Sequence, residues 1–86
     1  MNETSRWIVE YLRGRGGDSL ESKSEEDILA TDYFEAGLVD SFGVVELIGE
    51  VEKRFGITLE QPQLRDRRFS TIGGMADIIE ESRSSR

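Results

Sequence analysis

The sequence predicts an all-α fold: a four-helix bundle with a short third helix and a long first loop. Three observations predict it. Apolar residues recur at helical spacing in three separate stretches. Each of these stretches is bounded by a capping residue, by glycine, or by both. No segment reads as a strand, and no internal repeat is present. At 86 residues the chain is expected to be one small domain, ordered over about 5–82 with a frayed tail at 83–86. A domain of that size buries one modest core and no deep cleft.

The first helix is expected over 3–13, with Trp7, Ile8, Tyr11 and Leu12 facing the core and Thr4 or Asn2 as its cap. Gly14, Gly16 and Gly17 end it. Residues 15–40 form the long connection, pinned by Leu20, Ile28, Leu29, Tyr33, Phe34 and Leu38. A short helical turn is expected in it, near Glu25–Leu29 or Asp32–Glu35. The carboxylates Glu25, Glu26 and Asp27 lack the spacing and central glycine of a calcium loop, so the loop reads as solvated and no metal ligand is assigned.

The second helix is expected over 41–55, ended by Gly56, with Val44, Leu47, Ile48, Val51 and Phe55 inward. In the irregular stretch 57–70, Ile57 and Leu59 alternate inward, and Pro62 opens a short third helix over 62–67 with Leu64 buried. Arg65, Arg67 and Arg68 read as a solvated basic edge. Thr71 caps the last helix, 71–82, whose inward stripe is Ile72, Met75, Ala76 and Ile79. Gly73 and Gly74 are expected to weaken its first turn by roughly 1 kcal/mol each and to leave it mobile.

The chain is organised around residues 37–48, GLVDSFGVVELI. Asp40 and Ser41 are both strong capping residues, so a helix begins there with the Ser41 hydroxyl exposed at its tip. Phe42, Glu46, Gly49 and Lys53 fall opposite the inward stripe. Phe42 is therefore a large apolar residue aimed away from the core, and the outward face reads as a docking surface: an apolar knob, a carboxylate, and a glycine that admits a close partner. Glu46 and Glu50 are four apart and Glu52 follows, a like-charge row that costs an isolated helix a few tenths of a kcal/mol. That row also favours a partner surface.

Composition excludes much. The chain has no Cys and no His, which removes disulfides, Cys/His metal sites, Cys nucleophiles and Ser-His triads. No catalytic constellation remains, so an enzyme is not expected. With 18 acidic residues against 11 basic and a net charge of −7, nucleic acid is an unsuitable partner and basic protein surfaces are suitable ones. No apolar run is long enough to span a membrane and no signal peptide is visible, so a cytoplasmic monomer is the expectation.

Asp-Ser-Phe after Gly-Leu and before Val-Glu-Leu resembles the attachment site of acyl carrier proteins and peptidyl carrier domains, and the resemblance covers about residues 5–82. It implies 4′-phosphopantetheine, derived from coenzyme A, on Ser41, with Asp40 as the aspartate before it, a helix cap that also forms part of the surface a transferase recognises. It implies docking of partner enzymes on Phe42, Glu46, Gly49 and Glu52, and an acyl-group entrance near Ile57, Leu59 and Phe69. The implied partners are a phosphopantetheinyl transferase, an acyl- or aminoacyl-loading ligase, and a downstream acyltransferase or condensing enzymes. The absence of Cys fits: the thioester's thiol would be borrowed from the arm. Phe42 followed by Gly43 is most similar to D-alanyl carrier proteins of teichoic-acid modification, whereas the stretch 64–69, LRDRRF, is more basic than theirs. The cargo therefore stays open between D-alanine and another acyl or aminoacyl unit. An unmodified helical adaptor is the remaining alternative.

Overall fold

In a computed structural model, which describes residues 1–15 and 18–84, three long helices carry the fold. They are α1 (Glu3–Arg13), α3 (Ser41–Phe55) and α5 (Ile72–Ser84). Two short helices, α2 (Glu25–Leu29) and α4 (Gln61–Leu64), and two 3-10 turns, Asp18–Ser22 and Arg67–Ser70, fill the connections. The described residues contain no strand beyond an isolated bridge between Asp32 and Thr71.

Asn2 caps α1 by accepting the Ser5 N–H at 2.8 Å, and Thr4 lies inside the helix. The buried face of α1 is Ile8, Val9 and Leu12, joined by Thr4 and Ser5. Trp7 and Tyr11, expected to face the core, flank it half-buried. They stack on each other at 5.5 Å, and Trp7 meets the edge of Phe55 at 5.5 Å. The shift is one of angle: the stripe's centre lies between Ile8 and Leu12, leaving the two rings to one side. There Arg15 lies over Tyr11, and Arg54 and Arg83 over Phe55, covering apolar ring faces with cations.

The long connection carries both the 3-10 turn and α2, so the Glu25–Leu29 turn forms as a helix, capped by Ser24. Asp32–Glu35 forms a turn whose Asp32 side chain accepts the Phe34 and Glu35 N–H groups, both at 3.0 Å. Leu20, Ile28, Tyr33 and Leu38 are buried as expected of pins, and Val39 joins them. Phe34 does not: it is 53% exposed. Gly16 and Gly17, expected to help end α1, lie outside the described residues.

Leu47 and Val51 of α3 are fully buried, with Val44, Ile48 and Phe55 packed half-buried beside them. Gly56 ends the helix in the left-handed conformation (φ 66°). The short helix α4 stops at Leu64, earlier than the expected 67, because Asp66 is extended and starts a separate 3-10 turn. Leu64 is consequently exposed and not buried.

The start of α5 is where the chain packs most tightly. Thr71 caps it by accepting the Gly74 N–H at 3.0 Å, and Ile72 N–H donates to the Thr31 carbonyl at 3.1 Å. The Tyr33 hydroxyl donates to the Phe69 carbonyl, and burial pushes that phenol above its ordinary range. Gly73 and Gly74 were expected to loosen this turn; the structure gives them a packing role. A Cβ on Gly74 would lie 1.9 Å from the Arg68 carbonyl oxygen, and one on Gly73 3.0 Å from that of Leu29. Ile72, Met75, Ala76, Ile78 and Ile79 then fill the core, each full burial of a large side chain contributing about 2 kcal/mol.

The helix also runs on to Ser84, past the expected fraying point, because Arg83 is held by Glu80 (3.2 Å), Thr4 (3.2 Å) and the Phe55 ring. Residues 85 and 86, the end of the expected tail, lie outside the described residues. Among the described residues no helix is long and apolar enough to cross a membrane.

Arg68 is not a merely solvated edge. It grips Glu81 with both terminal nitrogens, at 2.6 and 3.0 Å, and Asp66 at 3.0 Å. Its guanidinium holds both carboxyls below the usual range. Carboxylates lowered in the folded state stabilise it above their unfolded pKa, and that stability is lost as pH falls through the folded values. Arg68→Leu is therefore expected to melt lower than the wild type at pH 7, with the gap closing below about pH 4. The gap is small and salt-sensitive, since these groups are exposed. Melting curves at pH 7 and pH 3 check it; a gap that does not narrow at pH 3 would count against the charge origin.

Candidate functional site

The site begins with a chain reversal. Leu38 N–H and Val39 N–H both donate to the Tyr33 carbonyl, and Gly37 takes φ +76°, a value that favours glycine. Leu38 and Val39 are then buried, which fixes the approach to α3. Asp40 is extended at the N-cap, where its Oδ1 accepts the Gly43 N–H at 2.7 Å and its carbonyl accepts the Val44 N–H at 2.9 Å.

Ser41 follows as the first helical residue and is exposed. Among the described residues its hydroxyl has no hydrogen-bond partner, nor do the Ser41 and Phe42 N–H groups. An anion attached at this hydroxyl would lie at the positive end of a helix of 15 residues, beside unspent donors. A covalently held phosphate fits these residues.

The outward face of α3 is more apolar than the sequence reading placed it. Phe42 is 73% exposed and Val45 is 67% exposed, one turn on. Gly49 continues the row, and a Cβ there would meet nothing within 4 Å. Val45 was missed, although its spacing of three from Phe42 and four from Gly49 marks the same face. The acidic row proves to be partnered. Glu46 pairs with Arg15 at 3.1 Å, and Glu50 lies 3.9 Å from Lys53. The Arg15 cation is held further above its ordinary range by its bond to Glu46. Glu52, placed on the docking face by resemblance, is half-buried and accepts the Leu59 N–H at 2.8 Å. The like-charge spacing thus has a structural return, and the unpartnered part of the face is Phe42, Val45 and Gly49.

Beside this face runs an open groove of about 540 Å³. Its apolar wall is Tyr33, Phe34, Val44, Leu64 and Phe69. Val44 stands three residues after Ser41, so their Cβ atoms are neighbours about 5–6 Å apart on the helix surface. Of the three residues expected at an acyl entrance, Phe69 lines this groove. Ile57 and Leu59 do not; both are buried in the core, 7% and 6% exposed.

A free hydroxyl at a helix tip, a groove one turn away and an outward apolar stripe are the features of a domain that carries a group for other proteins to act on. A family model, "Phosphopantetheine attachment site", matches residues 19–79. The chain is 34% identical over 68 residues to the D-alanyl carrier protein of Streptococcus mutans, covering 79% of this chain and 86% of that one. It is 43% identical over 66 residues to the D-alanyl carrier protein of Streptococcus suis, covering 72% and 84%. No solved structure gave a significant match. The chain belongs to the phosphopantetheine-attachment family of carrier proteins. It is a carrier and not itself an enzyme, and its prosthetic group is covalently attached 4′-phosphopantetheine. Such a carrier works with a phosphopantetheinyl transferase and a loading ligase.

Proposed function

We propose that Ser41 is the attachment point and that the protein carries an aminoacyl or acyl thioester between enzymes. The observation that carries this reading is the exposed Ser41 hydroxyl, unengaged among the described residues at the tip of α3. In the modification, Ser41 Oγ bonds to the phosphorus that bears pantetheine in coenzyme A. The pyrophosphate P–O bond breaks, 3′,5′-ADP leaves, and the serine proton passes to a base on the transferase. The attached group supplies a thiol, on which cargo is held as a thioester. Asp40 holds the first turn shaped around the modified serine and serves as a feature for the transferase to read.

The row Phe42, Val45 and Gly49, with the Arg15–Glu46 pair at its side, is the face on which enzymes dock. Glu52 supports that face from within by tying α3 to Leu59. Phe69 contributes to the groove beside the attachment point, while Ile57 and Leu59 serve the core. The relatives' names favour D-alanine as cargo, loaded by a ligase and delivered to an acyltransferase. A single carrier unit acting as a monomer in the cytoplasm accords with this reading.

The test is intact mass after incubation with coenzyme A and a broad-specificity transferase. A gain of one phosphopantetheine is expected for the wild type and none for Ser41→Ala, whose melting temperature should not move because the side chain is exposed. An unmodified wild type, or a modified Ser41→Ala, would overturn the assignment. The first of those results would return the chain to the adaptor reading.

A further inference from the structure

Most of the chain's clustered charges are spent on one another, but one pair is not. Arg15, Lys53, Arg54, Arg68 and Arg83 each pair with a carboxylate. Arg65 and Arg67 are exposed and have no ion-pair partner among the described residues. Asp66 stands between them and does not offset them. Arg68 takes both of its oxygens, through the backbone N–H at 2.9 Å and the guanidinium at 3.0 Å. The like-charge row of α3 has a structural return; the Arg65–Arg67 pair has none.

The backbone that presents these two arginines is held. The Arg65 N–H donates to the Gln61 carbonyl at 3.0 Å, Asp66 caps the turn that follows, and the Ser70 hydroxyl donates to the Arg67 carbonyl at 3.0 Å. Leu64 is exposed just before them, and it shares the groove wall with Arg67 and with Phe34, also exposed. Arginine beside large apolar side chains is the composition of an interface centre, where lysine and acidic residues are depleted. The planar guanidinium also meets a carboxylate with two parallel bonds.

We infer that Leu64, Arg65 and Arg67 form a docking surface separate from the α3 stripe, and that its occupant is a carboxylate-bearing segment of the loading ligase. The inference rests on Ser41 being the attachment point. Position supports it. Phe42 and Val44 are two residues apart, about 200° round α3, and Val44 lines the groove with Leu64 and Arg67. The surface 64–67 therefore lies on the far side of Ser41 from the Phe42 stripe. A transferase needs only the serine hydroxyl and the turn that carries it. A ligase acts on a thiol at the end of an arm and has to hold the carrier steady, so a grip on both sides of Ser41 suits it. Charge supports it as well. A chain of net charge −7 repels an acidic surface over most of its area, so two unspent arginines fix where such a segment lands.

The experiment begins with intact mass after transferase treatment. An unmodified wild type would strike the Ser41 reading and this inference with it; a modified protein whose arginines are indifferent would strike the inference alone. Binding of the unmodified carrier to the cognate ligase is then titrated by calorimetry, which needs no arm, and loading kinetics are measured on holo protein. Arg65→Glu combined with Arg67→Glu is expected to raise Kd and KM about tenfold with kcat unchanged, the scale of reversing two rim charges. Arg65→Gln combined with Arg67→Gln is expected to raise both about threefold and to lose the wild type's rise of KM with salt. Melting temperatures of these variants should match the wild type, since neither side chain is engaged in the fold. Arg6→Glu combined with Arg13→Glu makes the same change of net charge on α1 and is expected to leave KM within about twofold, as a screened, distant charge does. An unchanged KM in the Arg65/Arg67 glutamate pair, an equal rise in the α1 control, or a fall in kcat at constant KM would each overturn the inference.

Discussion

Gly74→Ala is expected to destabilise the domain by about 3 kcal/mol or more, the upper range for overpacking a tight site. A Cβ at that position would stand 1.9 Å from the Arg68 carbonyl oxygen, 2.6 Å from its carbon and 2.8 Å from its Cα. All three are backbone atoms, so no side chain can swing aside. The Arg67–Ser70 turn would have to move away from α5. Moving it strains the Tyr33–Phe69 hydrogen bond, the Thr71 cap and the Ile72–Thr31 bond together. For a chain of this length the loss corresponds to a fall in melting temperature of about 15 °C, a large share of the stability of a small domain. Gly49→Ala is the control of opposite sign. Nothing lies within 4 Å of a Cβ there, and alanine inside a helix is favoured over glycine by about 1 kcal/mol. Thermal melts of the two variants decide the matter. Equal melting temperatures for Gly74→Ala and wild type would show that α5 is not seated as closely as described.

Phe42→Ala is expected to cost partner enzymes the most of any surface change, with stability untouched. The ring is 73% exposed and makes no contribution to the core, so its removal leaves the melting temperature in place. An aromatic anchor buried at the centre of an interface is worth about 2–4 kcal/mol on truncation. The cognate ligase or acyltransferase should therefore lose roughly 30-fold or more in kcat/KM toward the loaded carrier. Val45→Ala should lose less, having less area to bury. The measurement is single-turnover loading of holo protein, with intact mass confirming equal modification. An unchanged rate for Phe42→Ala would remove this face from the docking reaction.

Much of the fold was legible because its signals are local. Asp40, Ser41 and Gly56 set the limits of α3 as a sequence reading places them, since capping chemistry acts within a turn. The same holds for Glu3–Arg13. What could not be read depends on neighbours distant in the chain. Gly73 and Gly74 look like weak points until Leu29 and the Arg68 carbonyl are brought against them. Phe34 and Leu64 look like core residues because they are large and apolar, yet each ends on the rim of a groove formed only when residues 32–35 and 64–70 meet. Glu52 and Arg68 likewise show their partners, Leu59 N–H and Glu81, only in three dimensions. The Ser41 tip was visible from spacing alone; the groove beside it was not.

The parts of that groove's lining differ in how firmly they are held. The turn that carries Phe69 is backed by Gly74 through the Arg68 carbonyl, and the Phe69 carbonyl accepts the Tyr33 hydroxyl, while Phe34 is exposed. Tyr33 belongs to the 32–35 turn, so that turn is tied to the opposite wall, and of the groove's lining the exposed Phe34 and Leu64 side chains are what can give way without breaking the Tyr33–Phe69 bond. Fitting a bulkier group there would turn two side chains and leave every helix in place.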